Sequence, residues 1–349
     1  MSQRRLPGWV PARARRVLAR ARVEAVSMQT RAAVRRLLGS PRPVILGPWL
    51  GEVGFELLYW VPFLRWAVAE ADADPRRLVA VSRGGAEPWY AGIAGHYCDA
   101  FDTMSADGFR TANRRRQAEL GEQKQIRSTA VDEGIVESVR KAIGEPGAAV
   151  LHPSLMYRVM FPYWWTHVPA SWVPRHAAFE RLARHDAALP PDLRAGEYVA
   201  VKFYFNDCFP ATPDNRAYAA DVTRAIAARH PVVSLSTGLS IDDHEGPGRS
   251  DNAMVRTIEA LTVPRNNLAV QHAIVAGARA FVGTYGGFAY LAPFCGVPAV
   301  GVYADPDGFD RSHLDAAQQA FRAIGTGPLA LAATAEASPE QAARMVAAP

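Results

Sequence analysis

Two short loops and a few charged side chains have the types and positions to do chemistry in this chain. The first loop, Gly47-Pro48-Trp49-Leu50-Gly51-Glu52-Val53-Gly54-Phe55-Glu56, follows the apolar run Val44-Ile45-Leu46. Gly51 and Gly54 allow close backbone approach, and Glu52 and Glu56 put carboxylates in the loop and in the first helical turn. A carboxylate here is a candidate general base toward a hydroxyl. Glu52 is the better placed, because Glu56 could equally complement the helix dipole. The second loop, Thr284-Tyr285-Gly286-Gly287, separates an apolar strand over 280–282 from an apolar helix near 288–294. Its backbone N–H groups sit at a helix N-terminus, where the dipole favours a phosphate. The same glycines could instead serve close helix–strand packing.

Charged residues near the second loop extend the reading. Lys202 stands inside the strand-like VAVKFYF, and a lysine among so much apolar surface needs a partner. A diphosphate at the strand end would be one. Asn206-Asp207 and Asn215-Arg216 bracket a turn over 209–213, and Arg216, opening a helix, could grip phosphate with two donors. Asp242, Asp243 and His244 stand in a row after another strand; of three consecutive side chains one at most is expected to reach a shared site. Asp305 and Asp307 have Asp-x-Asp spacing but suit a turn equally well. No metal site is expected from these residues.

The elements that must position these groups alternate along the chain. A helix is expected over 55–70, a strand over 78–81, a helix over 88–96, a strand over 100–104, a helix over 132–143 and a strand over 148–151. Residues 152–175 are rich in Trp, Tyr, Phe and Pro, which points to packing more than to a substrate wall. After Pro190-Pro191 the pattern restarts: strands over 198–205, 232–236, 267–270, 280–282 and 299–303, with helices over 214–230, 271–277 and 314–324. Such alternation predicts two parallel α/β sheets with ligand sites at the carboxyl ends of their strands.

Composition narrows the class. The 349 residues include three cysteines, Cys98, Cys208 and Cys295, far apart and without a Cys-x-x-Cys pair, so neither a disulfide framework nor a zinc site is expected. No run reaches the ~20 apolar residues of a membrane span. The net charge of +5 is unevenly spread: residues 1–42 hold eleven arginines and one glutamate, which leaves the remaining chain mildly acidic. A basic tail on an acidic body argues against nucleic acid as partner. A helix over 11–38 would carry its arginines and apolar residues all round, suiting either a solvated extension or a charge-driven rest on anionic lipid.

With these residues in view, the chain resembles bacterial glycosyltransferases of the two-Rossmann, or GT-B, architecture. FVGTYGGFAYLAPFCGVPAVGVYADP is similar to the donor-phosphate segment of heptosyltransferase-type enzymes, where a strand enters a small-residue turn, a helix runs to Gly-x-Pro and a strand follows. GPWLGEVGFELLYWVPFLRW is similar to their first strand–loop–helix, whose loop faces the cleft and often offers the acidic base. The Asp usual in the heptosyltransferase turn is missing here. Lys202 matches a position where such enzymes often set a basic residue against the donor diphosphate; the match at Arg216 is looser.

The resemblance implies an α/β protein of two Rossmann-like domains facing across a cleft. A basic extension would cover 1–42, an acceptor domain 43–175 and a nucleotide-sugar donor domain 176–349. It implies sugar transfer from a nucleotide-diphosphate donor to an acceptor hydroxyl of a cell-surface glycan or lipid-linked precursor, inverting and without metal or bound cofactor. Glu52, with Glu56 as second choice, would be the base. Lys202, Arg216 and Thr284, Tyr285, Gly286 and Gly287 would hold the donor phosphates, and Gly51, Gly54, Asn215, Asp243 and His244 would complete the cleft. Such an enzyme would be cytoplasmic, with residues 1–42 touching the inner face of the membrane. A sugar-nucleotide epimerase on the same scaffold, or a non-catalytic relative used as a scaffold, would share these features.

Overall fold

The computed structural model describes residues 12–121, 124–165, 168–184, 193–239, 241, 254–327 and 329–346. A long helix, α1 (Ala12–Leu38), leads into β1 (Val44–Leu46). The single turn α2 (Val53–Phe55) then runs through a π-turn (Glu56–Trp60) into α3 (Val61–Ala71). The π-turn has a local cause. Pro62 has no N–H to offer the preceding turn, and the helix widens just before it. β2 (Leu78–Ser82), β3 (His96–Asp99), α4 (Ala106–Leu120), α5 (Ala130–Ile143), β4 (Ala149–Leu151) and α6 (Ser154–Trp164) complete the first half.

The second half holds β5 (Val199–Lys202), α7 (Pro213–Ala227), β6 (Val232–Ser234), β7 (Val255–Thr257), α8 (Asn267–Gly277) and β8 (Ala280–Thr284). It continues with α9 (Gly287–Phe294), β9 (Ala299–Tyr303), α10 (Arg311–Ala323), β10 (Leu329–Ala333) and α11 (Pro339–Arg344).

All strand pairs are parallel, in the orders β3-β2-β1-β4 and β10-β9-β8-β5-β6-β7. Counted from its own first strand, each sheet has the order 3-2-1-4, and the second adds two strands beyond. This is the doubly wound, Rossmann-like order, in which the winding reverses between strands 1 and 4 and leaves a crevice outside their carboxyl ends. The reversal points are therefore β1/β4 and β5/β8.

The first sheet alternates cleanly. Val44, Leu46, Leu78 and Ala80 face the large core that continues into the second half, whereas Ile45, Val79 and Val81 face a smaller cluster under α4 and α5. Leu239 and Ile241, from beyond β6, pack on that smaller cluster. The second half of α1 belongs to the body: Val34 and Leu38 are fully buried, and Arg31 and Arg35 both pair with Glu70. Its first half exposes Val17, Leu18 and Arg20.

Four expected elements differ. No helix forms over 88–96: Pro88 opens only a 3₁₀ turn (Glu87–Tyr90), and Gly92 takes a left-handed φ of 73°. The strand expected over 100–104 lies earlier, at His96–Asp99, because the Asp99 carboxylate caps a 3₁₀ turn at Ala100–Asp102. The run over 267–270 is the first turn of α8, not a strand. Residues 203–205 leave the sheet after Lys202.

Candidate active site

The loop after β1 is pinned from three sides. The Gly47 N–H donates to the Leu151 carbonyl (3.0 Å), Trp49 N–H to the Val81 carbonyl (2.8 Å), and Leu50 N–H to Gln125 Oε1 (2.9 Å). The Trp49 ring stacks between Trp60 and Tyr157, with centroids 5.9 and 6.2 Å away. So held, the loop delivers Glu52 to the N-cap of α2 in extended conformation, its side chain exposed.

Immediately beyond Glu52, the two glycine loops touch. A Cβ on Gly287 would lie 2.7 Å from the Gly54 nitrogen, and one on Gly286 only 2.1 Å from the Tyr204 hydroxyl. Gly286 also has φ +149°, which L side chains rarely adopt. The N-termini of α2 and α9 thus meet across the two halves, with Tyr204 between them. The Tyr204 hydroxyl accepts from the Gly287 N–H. Burial above all, with Cys208 and Glu52 within electrostatic reach, pushes its pKa upward, so it stays a protonated phenol.

Lys202 ends β5 at the reversal point. Its Nζ donates to Gln271 Oε1 and lies 3.9 Å from the Phe288 ring centroid, in the first turn of α9. Gln271 is itself held by Asn267, donating to its carbonyl (3.1 Å) and to its Oδ1 (2.6 Å). Arg216, in the first turn of α7, stacks its guanidinium 4.4 Å from the Phe205 ring centroid. Both cations therefore stand at the carboxyl end of β5, where the sequence expects them.

Several expected site residues make structural contacts. Glu56 is fully buried and accepts from Ser82 Oγ (2.5 Å), the Tyr90 hydroxyl (2.6 Å) and Arg83 Nη1 (3.0 Å). Burial raises its pKa while those donors oppose the rise. A carboxylate so enclosed cannot reach a substrate hydroxyl; it ties the start of the 53–71 helix to the end of β2. Thr284, also fully buried, laces β8 to the chain after β5: its Oγ1 donates to the Tyr204 carbonyl (2.7 Å) and accepts from the Tyr204 N–H (3.0 Å).

The Tyr285 hydroxyl accepts from that of Tyr290 (2.7 Å), and its ring packs on Phe309. Asn215 donates from Nδ2 to the Pro210 carbonyl (2.9 Å) and holds the turn. Gly51 lies against the Trp49 ring. Gly54 and Gly287 pack on each other, so the glycine turn makes a contact between the two halves. Asp305 caps a turn through the Asp307 N–H (2.9 Å). Asp242, Asp243 and His244 lie outside the described residues.

The structure also gathers residues that sequence reasoning passed over. At the β1/β4 reversal, Gln125 donates to the Pro48 carbonyl and to Asp132 Oδ1, both at 3.0 Å. His152, directly after β4, stands 3.6 Å from Asp132, and Arg116 of α4 is buried nearby. Only the position of His152 just past an apolar strand could have signalled this cluster. Further out, His313 bonds through Nδ1 to the Tyr59 hydroxyl (2.7 Å) and packs edge-on against Phe55 and Trp164, joining α10 to the first half. Among the described residues, no group of three or more His, Cys, Asp or Glu has metal-binding geometry.

No family model matches the chain, and no curated protein matches it. Solved structures do. An E. coli ADP-heptose lipopolysaccharide heptosyltransferase II is 10% identical, covering 88% of this chain and 97% of its own, with a TM-score of 0.46. The E. coli heptosyltransferase WaaC, solved with ADP, is 14% identical over 87% of this chain and 98% of its own, at 0.44. The iron-containing dodecameric glycosyltransferase TibC of enterotoxigenic E. coli is 12% identical over 75% of this chain, at 0.40. This chain spans 58% of the TibC chain's length. Likenesses this distant assign no activity, and the sheet orders above stand on the chain's own backbone.

Proposed function

We propose that this protein is a glycosyltransferase, moving a sugar from a nucleotide-diphosphate donor to an acceptor hydroxyl of a cell-surface glycan or glycolipid precursor. One observation carries the reading: the Glu52 carboxylate at one reversal point and the Lys202 cation at the other flank the same junction, where α2 and α9 meet around Tyr204. In this reading Glu52 takes the proton from the acceptor hydroxyl as its oxygen attacks the anomeric carbon. The bond from that carbon to the donor phosphate oxygen breaks, and its electron pair leaves with the nucleoside diphosphate. Attack from the face opposite the leaving group inverts the centre.

Lys202 and Arg216 neutralise the charge that grows on the diphosphate, in place of a divalent cation. The Tyr204 hydroxyl orients Glu52. Gly54 and Gly287 set the closed spacing of the two halves, and donor entry requires their separation. The basic N-terminal half of α1 would rest on the anionic inner face of a membrane, close to a lipid-linked acceptor. Calorimetric titration of the full chain with UDP, GDP, CMP, ADP and dTDP tests the donor half of the proposal: one should bind and raise the melting temperature by mass action.

A further inference from the structure

Helix α8 is buried on almost every side, and its second turn carries Gln271, only 1% exposed, among Val270, Ala273 and Ile274. An amide in such a place is costly unless both of its ends are bonded. They are, and by groups of opposite kind. Its Nε2 donates to the Asn267 carbonyl (3.1 Å) and to Asn267 Oδ1 (2.6 Å), while its Oε1 accepts from Lys202 Nζ. Two acceptors on one side and an ammonium on the other leave the amide a single orientation. Gln271 therefore ties the first turn of α8 to the last residue of β5.

This row of side chains begins at the seam between the halves. The Gly84 carbonyl, in the loop after β2, accepts from the Leu268 N–H (2.7 Å) and the Ala269 N–H (3.1 Å). The first half thus caps the turn that holds Asn267. Gly84 and Gly85, at φ +65° and +74°, let the loop come that close: a Cβ on Gly84 would lie 3.0 Å from Leu268 Cγ, and one on Gly85 3.0 Å from Ala269 Cβ. Arg265, just before α8, pairs across the same seam with Asp102 at 2.5 Å. The turn carrying Asn267 is fixed from outside its own domain.

Two of the contacts on Lys202 hold it without neutralising it. An amide oxygen and the face of the Phe288 ring, 3.9 Å from Nζ, orient an ammonium and leave its charge intact. A lysine has a long, flexible stem, and fixing it before a ligand arrives removes part of the cost of binding. Lys202 is half-buried, so its charge can still be met from the crevice at the β5/β8 reversal.

We infer that Gln271 is a positioning residue for the donor: it aims the Lys202 ammonium at that crevice, so that a nucleoside diphosphate meets a cation already in place. The inference rests on the reading of Lys202 as the donor-phosphate cation and adds the residue through which that cation is set. Gln271, being buried, acts through Lys202.

A double-mutant cycle tests this by calorimetric titration of wild type, Gln271→Met, Lys202→Ala and the double variant with UDP, GDP, ADP and dTDP. Methionine keeps the size of the glutamine side chain and removes its hydrogen bonds. For the diphosphate that binds wild type, Gln271→Met should weaken binding about fivefold, the order expected for one hydrogen bond. In the Lys202→Ala background the same substitution should change affinity less than about twofold, because a residue that acts through Lys202 has nothing left to set. A loosened core would instead weaken binding in both backgrounds. Unchanged affinity in Gln271→Met, or the full loss repeated without Lys202, would overturn the inference. If Gln271→Met fails to fold, Asn267→Ala removes one of the two acceptors of Gln271 and should weaken binding about threefold, again only where Lys202 is present. No effect of Asn267→Ala, or an effect independent of Lys202, would overturn the inference equally. Wild-type binding of none of the four nucleotides overturns the donor reading and this one with it. Binding that Lys202→Ala weakens and Gln271→Met does not overturns this one alone.

Discussion

Gly54 and Gly287 meet backbone to backbone: a Cβ on Gly54 would sit 3.2 Å from the Gly287 Cα, and one on Gly287 2.7 Å from the Gly54 nitrogen. This contact joins the loop after β1 to the first turn of α9. The turn holds the two halves in contact, and Lys202 stands beside it, its Nζ 3.9 Å from the Phe288 ring centroid.

Gly287→Ala should therefore force the loops apart and cost about 1–3 kcal/mol of stability, the usual penalty for overpacking. Gly134, exposed in α5 with nothing within 4 Å of a built Cβ, is the control. Gly134→Ala should stabilise by about 0.5–1 kcal/mol, as expected for a helix interior. Urea unfolding of both variants checks the pair, and equal effects would contradict the contact.

Acid should loosen the packing of α1. His176 is fully buried, its Nε2 bonded to Ser27 Oγ (2.8 Å), and burial above all, then the charges of Arg175 and Arg31, hold its pKa at about 4. A base with a depressed folded-state pKa takes up protons preferentially when unfolded. Its stabilising contribution is thus complete above the ordinary value of 6.5 and is lost as pH falls toward 4. His176→Gln should flatten the stability–pH slope between those values, measured by urea midpoints. An unchanged slope would remove His176 from the account.

The exposed half of α1 should carry any membrane contact, because its second half is built into the body through Val34 and Leu38. Removing residues 1–22 should abolish co-sedimentation with phosphatidylglycerol vesicles at low salt while leaving the melting temperature within about 2 °C. Retained binding would retire the membrane role.

Glu52→Gln should leave nucleotide affinity and stability unchanged, since the side chain is exposed. It should lower sugar transfer about 10²–10⁴-fold, the range for loss of a general base. Transfer by the variant within threefold of wild type would move the base elsewhere. Product formation from the nucleotide sugar without any acceptor would favour an epimerase.

Much of this architecture is legible in the sequence because it is local. The apolar runs of β1 and β2, closed by Gly47 and Ser82, and those of β8 and β9 declare strands, and the alternation with helices declares parallel sheets. Lys202 and Arg216 could be found because their neighbours in sequence mark the end of β5. What stayed hidden depends on distant residues. Glu56 reads as a loop carboxylate until Ser82, Arg83 and Tyr90 close over it. The packing of Gly287 on Gly54, which comes from the other half, has no sign in the local sequence. The helix α4 shows no apolar stripe because its buried residues are Phe109 and Arg116 alone, so neither the helix nor its arginine announces itself.

The most direct test of the central claim is calorimetric titration of wild type and Lys202→Ala with the nucleoside diphosphate that binds. The account predicts one micromolar-range nucleotide and at least a tenfold loss in Lys202→Ala, the order expected for a charge-assisted contact worth about 1.5–3 kcal/mol. Binding of none of the five nucleotides, or identical affinity in the variant, would contradict it.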